Sequence, residues 1–201
     1  EVARHLPVML QALQRLAQQH PQVRALLPLA STLQAEEVAA MLAQPGGERV
    51  TLLDGEAALA LRASDAAIVC SGTATLQAAL LSVPMVVVYR VSFLTYHILR
   101  LLIRVPHIAL VNLIAQERLV CELVQTQLQA SRLCAELASL LVDGHKRRRQ
   151  KARFAELRAV LGTKKTAQEV AGVLLRYTRR VPRLQAAQPA LSTRKFHAPV
   201  T

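Results

Sequence analysis

The sequence predicts an α/β protein: a parallel sheet with helices on both faces, followed by carboxyl-terminal helices. Three observations predict it. Segments of strand length alternate with segments of helical period up to residue 111. The strand segments are continuous apolar runs, Met85-Val86-Val87-Val88 the clearest, as in strands buried on both faces. Beyond residue 116 every periodic segment is helical.

Each element has its own justification. Leu6, Met9, Leu10, Leu13 and Leu16 recur at helical spacing and predict an amphipathic helix over 2–19. His20-Pro21 ends it, because the residue before proline avoids the α region. Val23–Leu29 reads as a strand. Ser31 or Thr32 offers an N-cap, and Glu36 and Glu37 suit the first turns of a helix running to Gln44. Pro45-Gly46-Gly47 is a turn. Strands follow at Val50–Leu53, Ala66–Cys70, Met85–Tyr89 and Ile108–Val111, with helices between them at 54–63, Thr73–Leu81 and Leu94–Ile103. Helices then fall at 117–125, 130–142, 145–161 and 165–179. Residues 181–201 hold three prolines and no period, and read as a disordered basic tail after a domain spanning 1–180.

A chain of 201 residues with 52% hydrophobic content can bury a core without staples, which excludes a disulfide mini-protein and a disordered chain. Its most apolar stretch, 69–88, is broken by Ser71-Gly72-Thr73 and by Pro84, whereas a spanning helix needs roughly 20 mainly apolar residues. Cys70, Cys121 and Cys134 have no metal-ligand spacing and predict reduced thiols in an intracellular protein. The chain starts at Glu1 without Met, inside a helical pattern, and reads as a segment whose beginning is missing. The net charge of +12 is uneven: residues 1–144 carry 10 basic and 11 acidic groups, and residues 145–201 carry 15 and 2. A neutral domain thus bears a basic extension suited to anionic membrane or to nucleic acid. Aromatic residues at 3% give no stacking platform for single strands, and no nucleic-acid motif appears.

Ligands of open α/β sheets bind at the carboxyl ends of the strands. There Cys70-Ser71-Gly72-Thr73-Ala74-Thr75 runs straight into a helix. Gly72 allows close backbone approach, and unpaired N–H groups with three hydroxyls make a phosphate site; the alternative is that Ser71 or Thr73 merely caps the helix. Asn112 could read a sugar or phosphate, or form a turn. Arg90, after Tyr89 at a strand end, could pair with phosphate or stay solvated. His145-Lys146-Arg147-Arg148-Arg149 opens a helix whose basic face is either solvated or drawn to anionic lipid. Leu99, Leu102 and Ile103 with Arg100 and Arg104 form a further candidate interfacial patch.

The run Ser71-Gly72-Thr73-Ala74-Thr75-Leu76, then Pro84-Met85-Val86-Val87-Val88-Tyr89-Arg90, Leu110-Val111-Asn112-Leu113-Ile114-Ala115 and Glu122-Leu123-Val124-Gln125, resembles the lipid-A-disaccharide synthase family in order and spacing across residues 1–180. The resemblance implies a GT-B-type glycosyltransferase of two Rossmann-like domains, of which this chain is the carboxyl-terminal, UDP-binding half. The implied reaction joins UDP-2,3-diacylglucosamine (UDP-diacylglucosamine) to 2,3-diacylglucosamine 1-phosphate (diacylglucosamine 1-phosphate), giving lipid A disaccharide 1-phosphate and UDP, without metal or other cofactor. It runs at the cytoplasmic face of the inner membrane of Gram-negative bacteria. Implied partners are both substrates, an anionic inner-membrane surface and the missing amino-terminal domain, where the catalytic base is expected; a homodimer is left open, and no specific nucleic acid is implied.

Carried over by residue, Ser71, Gly72, Thr73 and Thr75 would hold the diphosphate, and Gln77 stands where the family has a Glu for the ribose hydroxyls. Tyr89, Arg90, Asn112, Glu122 and Gln125 would line the cleft. Val111 and Cys121 stand where the family has Pro, and Gln116 where it has Gly, followed by Glu117-Arg118 in swapped order. The resulting expectation is a chain that binds UDP and does not turn over alone. The other readings are a non-catalytic remnant, or a nucleotide-binding module with a basic membrane- or nucleic-acid-binding tail.

Overall fold

The computed structural model describes residues 2–92, 106–162 and 166–178. The expected helix at 94–103, its interfacial patch and the tail 181–201 lie outside the described residues. The chain divides into two units, 1–162 and 163–201. In the first, helix α1 (Val2–Gln19) leads to strand β1 (Ala25–Leu29), helix α2 (Ala35–Leu42), strand β2 (Val50–Asp54), helix α3 (Ala57–Arg62), strand β3 (Ala67–Cys70), helix α4 (Thr73–Leu80) and strand β4 (Met85–Tyr89). Helix α5 (Leu110–Ala115), strand β5 (Cys121–Val124), helix α6 (Ala130–Val142) and helix α7 (Gly144–Leu161) complete it. In the second unit, helix α8 (Thr166–Thr178) exposes Val170, Val173, Leu174 and Leu175.

Among the described residues every strand pairing is parallel, in two sheets: β1 with β2, and β3-β4-β5 with β4 in the middle. Pro28 lies in β1 and has no N–H to donate, a residue suited to an edge strand. Alternation along β4 divides the core. Met85 and Val87 pack with Ala78, Val111, Phe154 and Leu157, on the face covered by α4, α5 and α7. Val86 and Val88 pack with Ala12, Leu16, Leu133 and Leu137, on the face covered by α1 and α6. Full burial of each such side chain stabilises by about 1.5–3 kcal/mol. Helix α1 serves both sheets, because its Leu6 and Leu10 pack with Val38, Leu27 and Leu52. Helix α7 is bound to the sheet through Gln150, whose Oε1 accepts the Met85 N–H at 3.0 Å.

Two elements differ from expectation. Residues 108–111 are not a strand: α5 begins at Leu110, and Val111 and Asn112 bury its inner side. Nor is 117–125 a helix, since the fifth strand is Cys121–Val124. Residues 108–115 hold a single polar side chain, Asn112, and an apolar run of that length fits either element by periodicity. Glu122 disguises the true strand, and the bonds described below explain how its carboxylate is accommodated. Helix α2 also starts later than Ser31 or Thr32 would allow, with Gln34 at the N-cap and no side-chain cap.

Candidate functional site

The β3–α4 turn is open. The Ser71 N–H donates to the Val88 carbonyl at 3.2 Å, continuing the β3–β4 ladder by one residue. Gly72 has φ +144, which L side chains rarely adopt, and a Cβ there would meet none of the described residues within 4 Å. The glycine thus answers a backbone requirement and leaves free space above the turn. No side chain caps the start of α4, and Thr73, Ala74 and Gln77 are exposed. Thr75 faces inward: it is fully buried, and its hydroxyl donates to the Gly72 carbonyl at 2.8 Å. Ser71, Gly72 and Thr73 therefore form an accessible turn, with Gln77 exposed one helical turn further along α4, while Thr75 shapes the turn from below.

Across the sheet, the polar side chains are engaged with the protein itself. The buried Asn112 amide brackets Val120: Nδ2 donates to its carbonyl at 3.0 Å, and Oδ1 accepts its N–H at 2.9 Å. Asn112 Nδ2 also donates to Glu122 Oε1 at 2.7 Å. Glu122 accepts the N–H groups of Ile108 at 3.0 Å and Ala109 at 3.1 Å. The Ser71 hydroxyl donates to the Ile108 carbonyl at 3.0 Å, tying this loop to the β3–α4 turn. Arg90 follows β4, with its backbone N–H on His5 Nε2 at 2.9 Å and its guanidinium on the Leu128 carbonyl at 2.6 Å. Tyr89 is half-buried. Gln125 sits at φ +51, and its buried Nε2 has no partner among the described residues.

His107 joins this loop, with Nδ1 4.0 Å from Glu122 Oε1. Nothing in the sequence marks it, because a lone His after Pro106 has no partner at helical or strand spacing. Burial, reinforced by Glu136, pushes the Cys121 thiol up, and burial does the same to Cys134. Gln116 closes α5 at φ +55 in the left-handed region, a position that favours glycine.

On the basic helix α7 the cations divide. Lys146 pairs with Glu136 at 2.6 Å, Arg147 with Asp65 at 3.2 Å and Arg153 with Glu117 at 2.7 Å, while Arg148, Arg149, Lys151 and Arg158 are exposed. No helix among the described residues is long and apolar enough to cross a membrane.

A parallel α/β unit with an open glycine turn at the carboxyl end of β3 has the architecture of domains that bind ligands at strand ends. The family model for lipid-A-disaccharide synthetase matches residues 1–173. The lipid-A-disaccharide synthase of Anaeromyxobacter sp. (strain K) is 42% identical over 178 residues, covering 87% of this chain and 46% of the relative. That of Geobacter sulfurreducens is 39% identical over 175 residues, covering 87% and 45%. That of Nitrosococcus oceani is 39% identical over 164 residues, covering 81% and 42%. The chain belongs to the lipid-A-disaccharide synthase family. It spans about half the length of the curated relatives it matches.

Proposed function

We propose that this chain is the UDP-binding half of a GT-B-type lipid-A-disaccharide synthase. The reaction joins UDP-2,3-diacylglucosamine to 2,3-diacylglucosamine 1-phosphate and releases UDP. The observation that carries this reading is the open Ser71-Gly72-Thr73 turn within a chain matched by the family model over 1–173. Negative charge develops on the departing diphosphate, and backbone N–H groups at the start of α4, with the Thr73 hydroxyl, are suited to stabilise it. Gln77 lies one helical turn on, exposed, and offers an amide to the ribose hydroxyls. Asn112, Glu122 and Arg90 hold the surrounding backbone in place. Inversion at the anomeric carbon needs a base beside the acceptor hydroxyl. That base belongs to the part of the family's length that this chain does not span.

Calorimetric titration with UDP tests the binding half. The 201-residue chain should bind UDP, and Gly72→Val should abolish the signal without unfolding the protein. A wild-type chain that shows no UDP binding overturns the reading. Radiolabelled UDP-diacylglucosamine with acceptor should give no disaccharide from this chain alone; a clear product band overturns the assignment of the base elsewhere.

The same reading brings the chain to the anionic cytoplasmic face of an inner membrane, near its acylated substrates. The exposed cations of α7 support it, each worth on the order of 1 kcal/mol close to such a surface. Cosedimentation with anionic vesicles should fall steeply with salt. Salt-independent or absent binding rejects the electrostatic attachment.

A further inference from the structure

Glu122 points to the face of the sheet that carries α4 and α5. Its strand neighbours Cys121 and Leu123 pack on the opposite face, and its register partner Val87 belongs to the core beneath α4, α5 and α7. The loop it holds is fixed at three points: Ser71 on the Ile108 carbonyl, Glu122 on two successive N–H groups, and Asn112 on Val120. His107 opens this anchored segment, one residue from the carbonyl that Ser71 grips. Its side chain is 18% exposed, its Nδ1 faces Glu122, and its Nε2 has no hydrogen-bond partner among the described residues. Among the described residues, the β3–α4 turn otherwise offers a diphosphate neutral donors. Arg90, the basic residue that follows β4, already has its guanidinium on the Leu128 carbonyl.

We propose that His107 is a diphosphate-binding residue positioned by Glu122. An imidazolium carries an N–H on each nitrogen, so one set between a carboxylate and a phosphoryl oxygen pairs electrostatically with Glu122, 4.0 Å from Nδ1, while Nε2 donates to the phosphate. Because Glu122 and the loop are fixed beforehand, the contact is made by a pre-set ring. This rests on the UDP-binding reading and adds to that site a residue outside the recognised family run.

The test compares UDP with uridine on the full 201-residue chain by calorimetry. In His107→Phe, UDP affinity should fall about tenfold, the value of one charge-assisted hydrogen bond, while uridine affinity stays within about twofold. His107→Gln, which keeps an N–H donor, should recover part of the loss. UDP affinity unchanged in His107→Phe overturns the proposal and leaves UDP binding intact. Equal losses for UDP and uridine also overturn it, because His107 would then only support the loop. A wild-type chain that does not bind UDP overturns both readings together. Should His107→Phe not fold, the wild-type protein still decides the matter by NMR. The His107 imidazole nitrogens should shift with UDP and not with uridine, and an unmoved resonance under saturating UDP overturns the contact.

Discussion

The two ends of the three-stranded sheet use similar residues in opposite ways. At the β3–α4 turn, Thr73 and Gln77 are exposed, and a Cβ on Gly72 would meet none of the described residues within 4 Å. At the β5 side, Asn112 and Glu122 are turned inward and bond to backbone. Both groups lie within the sequence runs that carry the family resemblance. The difference teaches that a shared motif can hold two classes of residue, those left open to solvent and those that fix the backbone around them. Substitutions at the two ends should therefore fail in different measurements.

The largest expected effect is at the anchored end. Glu122→Ala leaves the Ile108 and Ala109 N–H groups without their acceptor and removes one of the two acceptors of Asn112 Nδ2, and should cost about 3 kcal/mol in denaturant unfolding. A variant as stable as wild type would erase the distinction between the two ends. Gly72→Ala should cost about 1–2 kcal/mol from backbone strain alone, since its Cβ meets no neighbour, and should weaken UDP binding more than its stability loss explains. Gln116→Gly should raise stability by about 0.5–1 kcal/mol by relieving a left-handed φ at the end of α5, read as a higher midpoint at unchanged slope. Thr73→Ala, exposed at the open end, should change stability by less than about 0.5 kcal/mol while reducing UDP affinity.

A fifth prediction lies outside both ends. The Asp143 carboxylate caps α7 by accepting the Lys146 and His145 N–H groups, which hold its carboxyl below the usual range. A folded-state pKa below the unfolded one gives a contribution that is present above the unfolded pKa and disappears as pH falls through the folded one. The stability difference between wild type and Asp143→Ala should therefore shrink in acid, and a pH-independent difference would refute the cap.

Local patterns were readable in the sequence, and long-range ones were not. Helix α1 and strand β4 follow from spacing and from an unbroken apolar run, and their bounds in the structure match the expected 2–19 and Met85–Tyr89. The β3–α4 turn was readable for the same reason: strand, glycine and helix start are contiguous. Residues 108–124 were misread because their meaning depends on partners far along the chain. Glu122 in a strand looks wrong until Ile108, Ala109 and Asn112 are placed around it, and His107 gains a role only through Glu122. The runs Leu110–Ala115 and Cys121–Val124 exchange their expected element types because burial, not period, decides them.

Strand β4 is sheltered on both faces and both edges once the protein is folded, but before then Met-Val-Val-Val-Tyr is five uncharged, strand-forming residues in a row. Such a segment is a template for self-association between nascent chains. Pro84 immediately before it and Arg90 immediately after it are the residue types that interrupt such stacking. Arg90 thus has a second consequence unrelated to ligands: replacing it with a neutral residue should send more of the newly made protein into inclusion bodies.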